Sequence, residues 1–171
     1  MARTHSLALG IASLFLAPVA ALAQVESVEI LTSGVSCGVC AVVSEVQFRR
    51  MEGIERVAIS LPKESITLYY KPGAGFSLPA IQSVLEPLKV QILRIRMTAR
   101  GNVEDGPEDR KTLIAGRNRF LLRLPREAGN ISPKEQLFLE GLLIGSGETM
   151  EYRVATITRR EDGGKGHETR Q

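Results

Sequence analysis

The sequence predicts an α+β chain, a βαββαβ unit followed by a run of short strands. Three observations carry this. Several short runs alternate apolar and polar residues, the period of a half-buried strand. Two stretches instead repeat apolar residues every three to four positions, the period of a helix. Clusters rich in glycine and proline separate the runs.

Val25 to Thr32 is the first strand, with Val28, Ile30 and Thr32 set against Glu26, Glu29 and Leu31. The loop from Ser33 to Gly38 leads into a helix. In it Val39, Val42, Val43 and Val46, with Met51, recur at helical spacing, while Ser44, Glu45, Gln47 and Arg49 fall between them. This pattern predicts a valine stripe packed on the core. Gly53 ends the helix. Ile54 to Leu61 reads as the second strand, Pro62-Lys63-Glu64-Ser65 as a turn, and Ile66 to Tyr70 as the third strand. Pro72-Gly73-Ala74-Gly75 breaks the chain again. Ser77 then caps a helix opened by Leu78-Pro79, where proline suits the first turn. Its stripe is Ile81, Val84, Leu85 and Leu88. Val90 to Ile95 is the fourth strand. The order βαββαβ is that of the ferredoxin-like split unit.

Asn102 to Arg110 is polar, holds Gly106-Pro107, and reads as a loop or boundary. The rest reads as all-β. Thr112 to Ala115, Arg119 to Leu124, Gln136 to Ile144 and Tyr152 to Thr158 are its strands, with Met97 to Val103 as a further first strand. Two architectures fit: a small closed barrel of the OB type, which leaves few edges, or an open sheet packed on the first unit. The expected organisation is a ferredoxin-like domain over 24–96, a β-rich domain over 97–160 and an unstructured tail over 161–171.

The 171 residues begin with a stretch that reads as a secretory signal. Arg3 is basic, Leu7 to Val19 is apolar, and Ala21-Leu22-Ala23 is a small-x-small cleavage site before Gln24. The apolar run contains Pro18 and is short for a spanning helix of about 20 residues. No stable membrane span is expected in the mature chain. Removing 1–23 takes Arg3 and no acidic residue, leaving 21 Lys and Arg against 19 Asp and Glu. That balance is too even to argue for a nucleic-acid partner. Export to a periplasm, or to another oxidising compartment, is expected, so the thiols can spend time as a disulfide.

The chain has two cysteines, Cys37 and Cys40, in Gly34-Val35-Ser36-Cys37-Gly38-Val39-Cys40. A C-x-x-C opening a helix puts two sulfurs at the end of positive partial charge, which favours thiolate. Thiolates bind soft metals. Structural zinc asks for four ligands, and the mature chain adds only His167 to the two cysteines. Calcium and magnesium ask for oxygen cages. Cu(I) remains by softness. The alternatives at this point are thiol-redox duty and a plain disulfide, although a C-x-x-C disulfide closes too short a loop to gain much chain entropy. A thioredoxin-like enzyme would show a longer α/β pattern than βαββαβ.

Residues 24–95 resemble a heavy-metal-associated domain, the module of copper chaperones, copper-pump N-termini and periplasmic mercury-binding proteins. The resemblance lies in Gly34-Val35-Ser36-Cys37-Gly38-Val39-Cys40 against the family's G-M-x-C-x-x-C. It continues in Met51-Glu52-Gly53-Ile54-Glu55-Arg56-Val57, in Ile66 to Tyr70 and in the Leu78 to Leu88 helix. It implies Cys37 and Cys40 as metal ligands, Cu(I) or Hg(II) as the ion, and a metal-transporting or metal-accepting protein as partner. Val35 replaces the motif methionine and is expected to fill a core slot. Ser36 in the loop, and Lys89 in the segment that usually approaches the metal, are the neighbours the resemblance implies. Lys89 would screen an anionic bis-thiolate complex, or simply be a solvated lysine.

Other features are expected to be structural. Met51, Met97 and Met150 suit a core. Arg94, Arg96 and Arg100 alternate with Ile95, Met97 and Ala99 as on a solvated sheet face, and Arg117, Arg119 and Arg123 read the same way. Asn130-Ile131-Ser132 is enough for a turn. No Ser-His-Asp set, paired carboxylate or phosphate loop stands out, and one mature histidine offers little for acid–base chemistry, so no enzyme activity is expected.

Overall fold

The computed structural model describes residues 23–35, 38–133, 135–145 and 150–159. The expected signal segment before Ala23 and the expected tail from residue 161 lie outside the described residues.

Alternating burial builds the first strand, β1 (Gln24–Ser33), with Val25, Val28, Ile30 and Thr32 turned inward. It begins at the residue after the expected cleavage position. Helix α1 (Gly38–Arg50) follows, then β2 (Ile54–Ser60) and β3 (Ser65–Tyr70). Helix α2 (Leu78–Leu85) starts as its sequence predicts: Ser77 Oγ accepts a hydrogen bond from the Ala80 N–H, and proline occupies the first turn. Leu78, Ile81 and Leu85 are buried, and Leu88 packs against the same core from the 3₁₀ turn Glu86–Leu88. The remaining strands are β4 (Gln91–Asp105), β5 (Lys111–Ala115), β6 (Asn118–Arg123), β7 (Gln136–Ile144) and β8 (Glu151–Arg159).

All eight described strands belong to one sheet, in the order β2-β3-β1-β4-β5-β6-β8-β7. Strands β2, β3, β1 and β4 are antiparallel neighbours with α1 and α2 packed into their core, the ferredoxin-like arrangement. An additional pairing of β4 with β7 closes the circuit β4–β5–β6–β8–β7. The second half is therefore a closed five-stranded barrel, consistent with the OB type, rather than an open sheet. Closure removes edges that would otherwise present unpaired backbone groups.

The stretches Val90–Ile95 and Met97–Val103, expected as separate strands, form a single strand. β4 runs for 15 residues through the expected 96/97 boundary. Residues Gln91 to Arg100 pair with β1, Ile95 to Asn102 pair with β7 on the other edge, and Asn102 to Asp105 pair with β5. Asn102 to Asp105, read as loop from their polarity, thus belong to the sheet. Ladder hydrogen bonds are indifferent to side-chain polarity, and Val103 still points into the core. Gly101 sits where β5 crosses closely: a Cβ there would lie 2.1 Å from the Ile114 carbonyl oxygen. On the opposite face, Arg96 pairs with Glu29 at 3.3 Å and Arg100 with Glu26 at 2.8 Å, as a solvated face requires. Exposed pairs of this kind contribute about 0–1 kcal/mol.

The two halves share one core. Tyr70, Phe76, Phe120 and Tyr152 form a chain of tilted rings, with successive centroids 6.5, 6.1 and 6.1 Å apart, running from the α/β unit into the barrel. Asn118, at the start of β6, clamps the segment before α2. Its Nδ2 donates to the Phe76 carbonyl and its Oδ1 accepts from the Phe76 N–H, both at 2.8 Å. The Tyr152 hydroxyl lies 2.8 Å from the carbonyls of Met97 and Leu139, pinning β8 across β4 and β7.

Asn118→Ala leaves both polar groups of Phe76 without this partner and is expected to lower stability by about 1–3 kcal/mol in urea denaturation. Burial also holds the Tyr70 phenol well above its ordinary value of 10.0, and burial followed by the Glu140 charge does the same for Tyr152. The folded state keeps these protons where the unfolded chain releases them. These groups therefore leave stability unchanged below about pH 10 and reduce it as pH rises further. In an alkaline titration, two of the chain's three tyrosines are expected to ionise only as circular dichroism reports unfolding. Phenolate absorbance from three tyrosines in the native state contradicts this.

Candidate functional site at the start of helix α1

The site is built where β1 hands over to α1. Thr32 is fully buried, and its N–H and Oγ1 both donate to the Glu64 carbonyl, at 2.8 and 2.7 Å. That double bond set fixes the exit of β1. Gly34 follows with φ +101, a backbone conformation that L side chains rarely adopt. Val35 then enters the core at 0 % exposure, as expected for the residue in place of the motif methionine. Helix α1 begins three residues later and has no acidic residue in its first turn, where one would offset the positive end of the helix.

Cys40 lies in that first turn, is half-buried, and is disulfide-bonded. The chain's only other cysteine is Cys37, which, like Ser36, lies outside the described residues. Lys89 is exposed and caps the Glu86–Leu88 turn in the left-handed conformation, φ 54. Its carbonyl oxygen is 3.6 Å from where a Cβ on Gly34 would stand. The backbone of the Lys89 segment is thus brought against the loop that carries the cysteine motif. Among the described residues no group of three or more His, Cys, Asp or Glu side chains comes together. The chemistry on offer is that of sulfur in two redox states: a disulfide, or thiols that on deprotonation become soft ligands.

Helix α1 is rotated relative to expectation. Val39, Val42, Val43 and Val46 face solvent at 75, 61, 36 and 43 % exposure. The buried face is Ala41, Ser44 and Phe48, with Met51 partly buried beyond it. Both sets satisfy a three-to-four spacing, so periodicity alone does not choose between them. Small residues at 41 and 44 let the helix approach the sheet closely, and Phe48 buries more apolar surface than any one valine. Sequence reasoning passed over Phe48 because the valines are more numerous, and passed over Ser44 because it is polar. The signal that separates the faces is a large aromatic one helical repeat beyond two small residues. Polar Glu45 and Arg49, an i,i+4 ion pair at 2.6 Å, flank the exposed valines.

No protein-family model and no curated protein sequence matches the chain. Among solved structures, the yeast copper transporter domain CCC2A, studied in apo and Cu(I)-loaded states, is 22 % identical. It covers 40 % of this chain and 96 % of its own, with a TM-score of 0.35. The water-soluble region of the P-type ATPase CopA from Bacillus subtilis is 24 % identical and covers 51 % of this chain and 56 % of its own, with a TM-score of 0.38. At these scores they are partial likenesses.

The rotation of α1 has a direct test. Phe48→Ala is expected to cost about 3–5 kcal/mol. Val42→Ser and Val46→Ser are expected to stay within about 0.5 kcal/mol of the parent, as surface changes do. Urea denaturation that ranks the valine variants with Phe48→Ala would return the valines to the core.

Proposed function

We propose that this chain is an exported, non-enzymatic protein that binds a soft metal ion, Cu(I) or Hg(II), through Cys37 and Cys40 and passes it to a metal-transporting or metal-accepting protein. The observation that carries the reading is the placement of Cys40. It stands in the first turn of a helix that carries no acidic residue in that turn, shortly after Thr32, Gly34 and Val35 lead the chain out of β1. The motif's resemblance to the heavy-metal-associated pattern points to the same chemistry. A site formed by two sulfurs leaves a side of the ion open, which suits hand-over to a partner's thiolate. The exposed valines on α1 give that partner an apolar surface on the helix that carries Cys40. In this reading Lys89 and Ser36 shape the surroundings of the ion, and export places the pair in an oxidising compartment, where it must be reduced before it binds.

Because ligand sulfurs must be deprotonated, metal uptake releases protons and its affinity rises with pH. Because Cys40 is in a disulfide here, uptake also requires prior reduction. That disulfide favours one second reading, in which the pair serves thiol exchange and the fold serves protein contacts.

Anaerobic titration with Cu(I) against a competing chelator decides between them. The reduced mature protein is expected to take up one equivalent; the oxidised protein and a Cys37→Ser, Cys40→Ser variant are expected to take up none. Equal uptake by the serine variant rejects the site. Thiol-exchange activity without metal uptake gives the function to the second reading.

A further inference from the structure

Ser44 is the one polar residue on the buried face of α1. It is fully buried at 0 % exposure, and its Oγ has no hydrogen-bond partner. An unpaired buried hydroxyl costs free energy, about 1–3 kcal/mol, and such groups in a native fold call for an explanation. The usual remedy for serine inside a helix is a bond to the carbonyl four residues earlier, and here Ser44 does not make it. That residue four positions earlier is Cys40.

Residues four apart on a helix stand one above the other, with Cβ atoms about 5–6 Å apart. Helical side chains lean toward the N-terminus. The Ser44 hydroxyl therefore lies over the turn that holds Cys40, on the inward side where water does not reach. Cys40 is disulfide-bonded in this structure. A disulfide sulfur is a poor hydrogen-bond acceptor, whereas a thiolate is a strong, charge-assisted one.

We infer that Ser44 is a positioning residue for the reduced form of Cys40: its hydroxyl, unpaired while the disulfide stands, donates a hydrogen bond to the Cys40 sulfur once the disulfide is reduced, and so biases the pair toward the reduced, metal-competent state. The equilibrium is balanced with a thiol such as glutathione. Two glutathiones lose two electrons and two protons and become one glutathione disulfide. The protein's S–S bond breaks, and each of its two sulfurs receives one electron and, at neutral pH when protonated, one proton. The inference deepens the proposed thiol site and rests on it only in requiring that Cys40 be reducible; it needs no metal.

The test is a glutathione redox titration of the purified mature protein, read by thiol labelling, for the parent, Ser44→Ala and Ser44→Thr. Removing the hydroxyl withdraws stabilisation from the reduced form and relieves the oxidised form of an unpaired group, so both effects act in the same direction. Ser44→Ala is expected to shift the equilibrium about tenfold toward the disulfide, a potential lower by about 30 mV for a two-electron couple. Ser44→Thr, which keeps the hydroxyl, is expected to restore the parent value. Urea denaturation supplies a second readout. Ser44→Ala should stabilise the oxidised protein and destabilise the reduced one, whereas a purely structural serine would move both alike. An unchanged potential, or stability changes of one sign in both redox states, overturns the inference. The Cu(I) titration of the reduced parent reports separately on the proposed function, so either can fail while the other stands.

Discussion

Both halves of the molecule hang from the backbone ladders of β4. From Ile95 to Arg100 this strand is paired on both edges, with β1 on one side and β7 on the other. Beyond Asn102 it turns its free edge to β5 and closes the barrel. A strand bonded on both edges is held in direction and register, and a one-residue slip would turn Ile95, Met97, Ala99 and Val103 from the core to solvent. The α/β unit therefore does not end where the barrel begins. The aromatic chain from Tyr70 to Tyr152 and the clamp of Asn118 on Phe76 continue that union through the core.

The cysteine site sits at the far end of this construction. β1 is locked into β4, Thr32 ties its exit to Glu64, and Val35 anchors the loop in the core. Helix α1 spends its inward face on close packing and on one orphan hydroxyl, and turns four valines outward. Its outer face is apolar and exposed, and its inner face carries the unpaired Ser44 hydroxyl one helical turn after Cys40.

Much of this architecture was readable from residue pattern. The strands β1, β3, β5, β6, β7 and β8 alternate clearly or lie between glycine-rich breaks, and Ser77 with Pro79 announces α2. The cysteine pair stands out in the sequence as a candidate site, because two sulfurs three residues apart leave few chemical options. Three features were not readable. The continuity of β4 was hidden because polar Asn102, Glu104 and Asp105 break the apolar pattern while their backbone still pairs. The choice of a closed barrel over an open sheet, both of which the pattern allowed, was hidden because the pairing of β4 with β7 joins segments some 40 residues apart in sequence. The face of α1 was hidden because two sets of residues share the helical period.

By itself, then, the sequence determined the kinds of element and their order, since local periodicity and turn chemistry are properties of neighbouring residues. Tertiary structure alone decided which face of α1 is buried, that one strand serves two units, and that the buried Ser44 hydroxyl is left without a partner. Those outcomes depend on which distant surfaces compete for the same space. In α1 the competition is won by the small residues and the aromatic ring that let helix and sheet approach most closely, and the helical period by itself does not choose between the two faces.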